Sequence, residues 1–416
     1  MSDNALMTSR RRVLTGMTTT LAALLAAPSC ARKSASGAAI RMGCILDATG
    51  PLSLEGKPMI QTARLAVEEL NAAGGLLGRQ IKLITYDTQS TTQLYTQYAQ
   101  RLALEDAVDV VVGGLTSASR EAIRPIFGRA TIPLFYPTLY EGGVCDRNVF
   151  CTGTTPTQTV SHLIDHALEH WGKSVYILAA DYNFGQITAG WVRKFMQVSG
   201  GPVVQADFLP LEATNFSSTI SRIQSAAPAF VFSVLVGGAQ TGFYRQWNAA
   251  GMKSKIPIAS NVFGLSDELS SMDAATTDGI VTCYGWYPNI DSAGSKAFVA
   301  SMSRKFGPTL TGLSELDVAT YDAIMLWAAG VRKAGSLERL EVFKALETGI
   351  SYDGPAGRVV MDPATHHAVR TTHLARARNR AWEILQTFAN QRPADTEGQC
   401  DLLQNPALNK QFSPAL

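Results

Sequence analysis

No Cys-x-x-Cys pair occurs in the 416 residues, although six cysteines are present. A zinc knuckle or a dithiol redox motif needs such a pair, so neither is indicated. The G-x-S-x-G elbow, the H-E-x-x-H helix and the P-loop are missing as well, which removes the commonest signatures of hydrolases, metalloproteases and nucleotide-driven enzymes. Charge is scarce, at 17% of residues, and nearly balanced between 36 basic and 34 acidic side chains. Arg10, Arg11, Arg12 and Asp3 account for the small excess, so the body after residue 30 is neutral. A neutral body argues against nucleic acid or an anionic membrane surface as partner. Beyond the N-terminal stretch, no apolar run reaches the roughly 20 residues that span a bilayer.

What is present begins with an export pattern. Ser9-Arg10-Arg11-Arg12-Val13-Leu14 resembles a twin-arginine signal, and Val13 to Ala27 is an apolar stretch too short for a span. Small residues follow, ending Ala27-Pro28-Ser29-Cys30. Cleavage before Cys30 would leave that cysteine first, as in bacterial lipoproteins, although those usually carry Leu where this chain has Ala27. Residues 1–30 are therefore an export signal, with lipid attachment at Cys30 and a free soluble form both open, and 31–39 is a tether. In an oxidising compartment Cys145 and Cys151 are placed to close a small loop around Asp146–Phe150; two unpaired buried thiols are the alternative. Nothing in the spacing assigns Cys44, Cys283 or Cys400.

From residue 40 apolar runs alternate with amphipathic stretches. "IRMGCILDAT", "QIKLITYDT", "VDVVVGG" and "IPLFYPT" read as strands, each but the last followed by a helical pattern. The alternation restarts at "NVFCTGT", from residue 148, and runs to "GIVTCYGWYPNI"; helical stretches follow at 292–306, 315–334 and 336–347, then a strand-like tail over 351–390. Such βα alternation predicts α/β architecture with parallel sheets covered on both faces, and its length predicts two similar lobes.

In open α/β sheets ligands sit at the carboxyl ends of strands. The segments there are rich in hydroxyls, amides and aromatic rings: "GGLTSAS", "YPTLYEG", "ADYNFG", "VLVGGAQ" and "SNVFGL". They offer Ser117, Tyr136, Thr138, Tyr182, Asp181, Asn261 and Phe263 as ligand-binding candidates. Asp181 has a second reading, as a cap for the following helix, and Glu141 reads as a structural partner in its turn. His162, His166 and His170 lie four apart on one helical face, but the outer two are about 12 Å apart along the axis and converge poorly on one ion. A solvated face is the expected reading, and His366 and His367 read as surface. Ser117, Asp181 and His166 make a poor triad because that histidine is inside a helix, so no catalytic residue, metal site or cofactor is expected.

"GPLSLEGKPMIQTARLAVEELNAAGGLLGRQIKLITYDTQS" resembles the opening of type I periplasmic binding proteins of ABC transporters. "YPTLYEG", "ADYNFG" and "DGPAGRVVMDPATHHAV" are similar to the urea and short-chain-amide receptors, and the likeness covers roughly 40–390. The resemblance implies two Rossmann-like lobes joined by a three-segment hinge, 40–155 with 285–345 and 156–284 with 346–395, followed by a tail at 396–416. It implies ligand contacts from Ser117, Tyr136, Thr138 and Tyr182. Leu115 stands where the amide sensors have a tyrosine. The expected function is capture of a small neutral amide-type solute for an inner-membrane ABC permease, with membrane contact only through the anchor at Cys30. A branched-chain or other amino-acid receptor is the alternative within the class, and an amide-sensing regulator is the alternative outside it.

Overall fold

The computed structural model describes residues 37–307 and 312–414, so the export signal, Cys30 and most of the tether lie outside the described residues. The first four strands are β1 (Ile40–Leu46), β2 (Ile81–Asp87), β3 (Val110–Gly113) and β4 (Leu134–Tyr136), alternating with helices α1 (Ser53–Ala72), α2 (Thr92–Leu104) and α3 (Ser117–Ala130). Two short strands joined by a turn, β5 (Val144–Asp146) and β6 (Val149–Cys151), end this block. The first sheet is parallel throughout, in the order β2-β1-β3-β4-β6. All four residues of β3 are buried, as a strand covered by helices on both faces requires.

The second block runs α4 (Pro156–His170), β7 (Val175–Ala180), α5 (Asn183–Val198), β8 (Val203–Leu209), α6 (Ser217–Ala226), β9 (Phe230–Val234), α7 (Gly237–Ala249), β10 (Ile258–Ser260), the single turns α8 (Glu268–Ser271) and α9 (Ala274–Thr277), and β11 (Val281–Tyr284). Helices α10 (Ala293–Phe306), α11 (Glu315–Ala334) and α12 (Arg339–Leu346) follow. The remaining strands are β12 (Ser351–Gly354), β13 (Gly357–Met361), β14 (Ala368–Arg378), β15 (Ala381–Gln391) and β16 (Asn409–Gln411). The second sheet has the order β12-β13-β14-β11-β10-β9-β7-β8, with β15 beside β14. Its β7–β11 half is parallel. The tail strands join antiparallel; within the tail, the short connections β12–β13, β13–β14 and β14–β15 make hairpins. The fold is thus mixed α/β with parallel sheets, the second extended by hairpins. One apolar core runs through both sheets, and no helix among the described residues is long and apolar enough to cross a membrane.

Two sequence expectations are corrected here. The disulfide joins Cys145 to Cys400, across 255 residues, while Cys151 is a free buried thiol. Strand pairing separates the two: β6 enters the first sheet, with Cys151 opposite Tyr136, whereas β5 pairs with β16 of the returning tail. His366 and His367 are buried, not on the surface. The β13–β14 turn packs on the edge of the first sheet, where Cys151 N–H donates to the His366 carbonyl at 2.8 Å. His366 stacks on Phe150 at 4.3 Å, and His367 hydrogen-bonds the Tyr140 hydroxyl.

Candidate functional site

The chain leaves β3 through Gly113 and Gly114, both at positive φ (147° and 88°). A Cβ on Gly113 would collide with the Ile45 carbonyl, and one on Gly114 would press on the Tyr136 ring at 3.2 Å. Only glycine fits both the backbone and the space. This turn carries Leu115, Thr116 and Ser117 beneath Tyr136, and α3 then starts with a capping box between Thr116 and Ser119.

Ser117 donates to Glu141 Oε2 and accepts from Arg120 Nη1 at 3.3 Å. Arg120 and Glu141 are wholly buried and paired at 2.9 Å, and the guanidinium lies 5.0 and 4.5 Å from the ring centres of Tyr136 and Tyr140. Glu141 is therefore a structural partner in its turn. Thr138 donates to the Gly114 carbonyl at 3.0 Å and Tyr136 to the Leu115 carbonyl at 3.4 Å. Each of these three hydroxyls has turned its one proton into the protein, which leaves only acceptor capacity on its other side.

Ser117, Tyr136 and Thr138 line one wall of a cavity of about 60 Å³ at the carboxyl ends of both sheets. The opposite wall is made by Tyr182, at the start of α5, Gln240 in the first turn of α7, and Glu268 of α8; Glu55, in the first turn of α1, completes it. Leu52, Leu115, Leu139, Val236, Val262 and Leu265 fill the spaces between. Burial, reinforced by the charge of Glu268, pushes the Glu55 carboxyl up to about 8, and burial also raises Glu268. The Tyr136 and Tyr182 phenols are raised as well, mainly by burial, and stay neutral.

Four of the seven expected ligand residues, Ser117, Tyr136, Thr138 and Tyr182, thus face one hollow. The other three do not line it. Asp181 is exposed and accepts from Gln186 Nε2 at 2.9 Å; the extended backbone at Tyr182 (φ −154°, ψ 177°) sends neighbouring side chains to opposite sides. Phe263 is a core residue, packed on Tyr244 at 5.3 Å and Trp382 at 5.9 Å. Asn261 is buried with its Oδ1 unpartnered but lies beside the cavity, where Val262 takes its place. His162 stacks on Phe388 at 3.7 Å and His166 on His170 at 4.3 Å, so His162 turns away from the pair that the other two form. Sequence reading missed Glu55, Gln240 and Glu268. Gln240 sits in a strand-end segment already singled out, but nothing local distinguishes it from its neighbours.

The family model described as periplasmic binding protein matches residues 39–381. A Leu/Ile/Val-binding protein homolog 6 of Brucella abortus (strain 2308) is 24% identical over 362 residues, covering 84% of this chain and 90% of the relative. A leucine-, isoleucine-, valine-, threonine- and alanine-binding protein of Pseudomonas aeruginosa is 22% identical over 318 residues, covering 76% and 83%. Among solved structures, an R. palustris solute-binding protein in complex with 4-hydroxybenzoate has a TM-score of 0.76 at 22% identity, covering 85% of this chain and 98% of that one. A Streptococcus pneumoniae branched-chain amino-acid receptor with isoleucine has a TM-score of 0.74 at 20% identity, covering 85% and 100%. At these identities the structural likeness carries the fold alone.

Proposed function

The chain belongs to the periplasmic binding protein family, and on that premise we propose that it captures urea or a short-chain amide outside the cytoplasm for an inner-membrane ABC importer. The observation that carries this reading is the lining of the cavity, with the hydroxyls of Ser117, Tyr136 and Thr138 on one side and the Tyr182 phenol on the other. The hydroxyls of Ser117, Tyr136 and Thr138 accept ligand N–H groups, and Tyr182 is the phenol left to serve a carbonyl. Pairing matters here, because each buried polar group left unpaired costs about 1–3 kcal/mol.

The lobes are proposed as 40–155 with 285–345 and 156–284 with 346–395, closing on the solute by hinge motion so that the permease meets the closed form. Twin-arginine export and a lipid at Cys30 belong to the same proposal, and no reaction is part of it. A second reading, an amino-acid receptor, is favoured by the apolar wall of Leu115, Val236, Val262 and Leu265 and by Glu268 as partner for an ammonium group.

A thermal-shift panel of urea, formamide, acetamide, leucine and phenylalanine tests the choice, since stabilisation follows saturation. Shifts with the first three support the amide reading. A shift with leucine alone replaces it by the amino-acid reading.

A further inference from the structure

Resting on the amide-type reading, we propose that the cavity prefers a planar cation rich in N–H groups, an amidinium or guanidinium, over the neutral amide or urea of the same shape. Two acceptors that line it have nothing to accept. Glu55 Oε2 and Gln240 Oε1 are buried without a hydrogen-bond partner, and Gln240 is only 1% exposed. Its Nε2 donates to the Leu235 carbonyl at 2.8 Å, which fixes the amide and leaves its oxygen for the cavity. Glu268 adds a second carboxylate, held by the Ser266 N–H at 2.9 Å. Across the cavity Ser117, Tyr136 and Thr138 have turned their protons inward.

Among the described residues that line the cavity there is no Lys, Arg or His to answer the two carboxylates. Arg120, behind Ser117, is occupied by Glu121 and Glu141. A buried carboxylate without a counter-charge is costly, and a bound cation supplies it. An amidinium donates through every nitrogen and accepts nothing, which suits this wall. The neutral amide of the same shape replaces one donor by a carbonyl oxygen, and the lining side chains offer few protons to meet it. The raised proton affinity of Glu55 is the same imbalance: without ligand, a proton is the cation at hand.

Calorimetric titration of the exported protein with acetamidinium against acetamide, and guanidinium against urea, reads the preference directly. Measurements are made at pH 8 and matched ionic strength, with guanidinium kept in the low millimolar range. The cation is expected to bind about tenfold tighter in each pair, because hydrogen bonds to charged groups are the stronger ones. Glu55→Gln is expected to shrink that ratio at least threefold, and Glu268→Gln is the second variant should the first fail to fold. Equal or tighter binding of the neutral member overturns the cation preference while the amide-type reading stands. A ratio unchanged in both variants also overturns it. Binding of leucine with none of the four planar solutes overturns the preference and the reading beneath it.

Discussion

Ser117 ties the cavity wall to a buried ion pair. Its hydroxyl bridges Glu141 and Arg120, so Ser117→Ala removes an acceptor from the cavity and a donor from a buried carboxylate at once. We expect ligand affinity to fall at least tenfold in calorimetric titration. We also expect a stability loss of about 1–3 kcal/mol in urea-free chemical unfolding, the usual cost of an orphaned buried acceptor. Unchanged affinity would remove Ser117 from the site. Glu55 makes a separate prediction. Its carboxyl titrates at an ordinary 4.5 when unfolded and near 8 when folded, raised first by burial and then by Glu268, Asp47 and Asp267. The folded chain therefore holds the extra proton between those values. The stabilisation this gives is complete below pH 4.5 and is lost as pH rises through about 8. The ligand-free protein should melt at a lower temperature at pH 8 than at pH 5, and Glu55→Gln should flatten that slope; an identical slope in the variant would contradict the assignment. At this scale the sequence was partly legible. Ser117, Tyr136, Thr138 and Tyr182 could be placed at the cavity because hydroxyls directly after apolar runs mark strand ends. Glu55, Gln240 and Glu268 were not, because they sit in the first turns of helices whose approach to the cavity is fixed by packing.

At the scale of elements, the helices and strands follow the apolar periodicity closely: α11 spans Glu315–Ala334, the stretch its pattern predicts. Pairings over long distance were the part that stayed hidden. Cys145 and Cys151 look like partners because they are six apart, yet strand pairing sends them different ways. The tail that brings Cys400 to Cys145 leaves no local trace in the sequence. The same long-range packing buries His366 and His367, whose turn looked solvent-facing only because the edge of the first sheet was not in view. The disulfide fastens the tail at Cys400, ahead of β16, to β5, and Gln411 reaches Glu141 behind the cavity wall. A covalent link over so long a loop contributes about 2–4 kcal/mol. Cys400→Ser, or dithiothreitol on the intact protein, should lower the melting temperature and expose residues 396–414 to proteolysis. A protected tail in the reduced protein would show that β16 needs no covalent tie.

For the whole molecule, the cavity draws its walls from both sheets: Ser117 and Thr138 follow strands of the first, Tyr182 and Gln240 strands of the second. A solute touching both walls binds the closed form better than the open one, and only that difference can drive closure. Ligand at one hundred times its dissociation constant should raise the unfolding free energy by about 2.7 kcal/mol, with a smaller radius of gyration in solution scattering. Stabilisation with no contraction would mean that the described form is already the resting one. The most direct measurement is a crystal structure of the exported protein grown with saturating acetamide. The account predicts one acetamide in the hollow, within hydrogen-bonding distance of Ser117 and Tyr182. An empty hollow with acetamide bound elsewhere, or none bound at all, would contradict it.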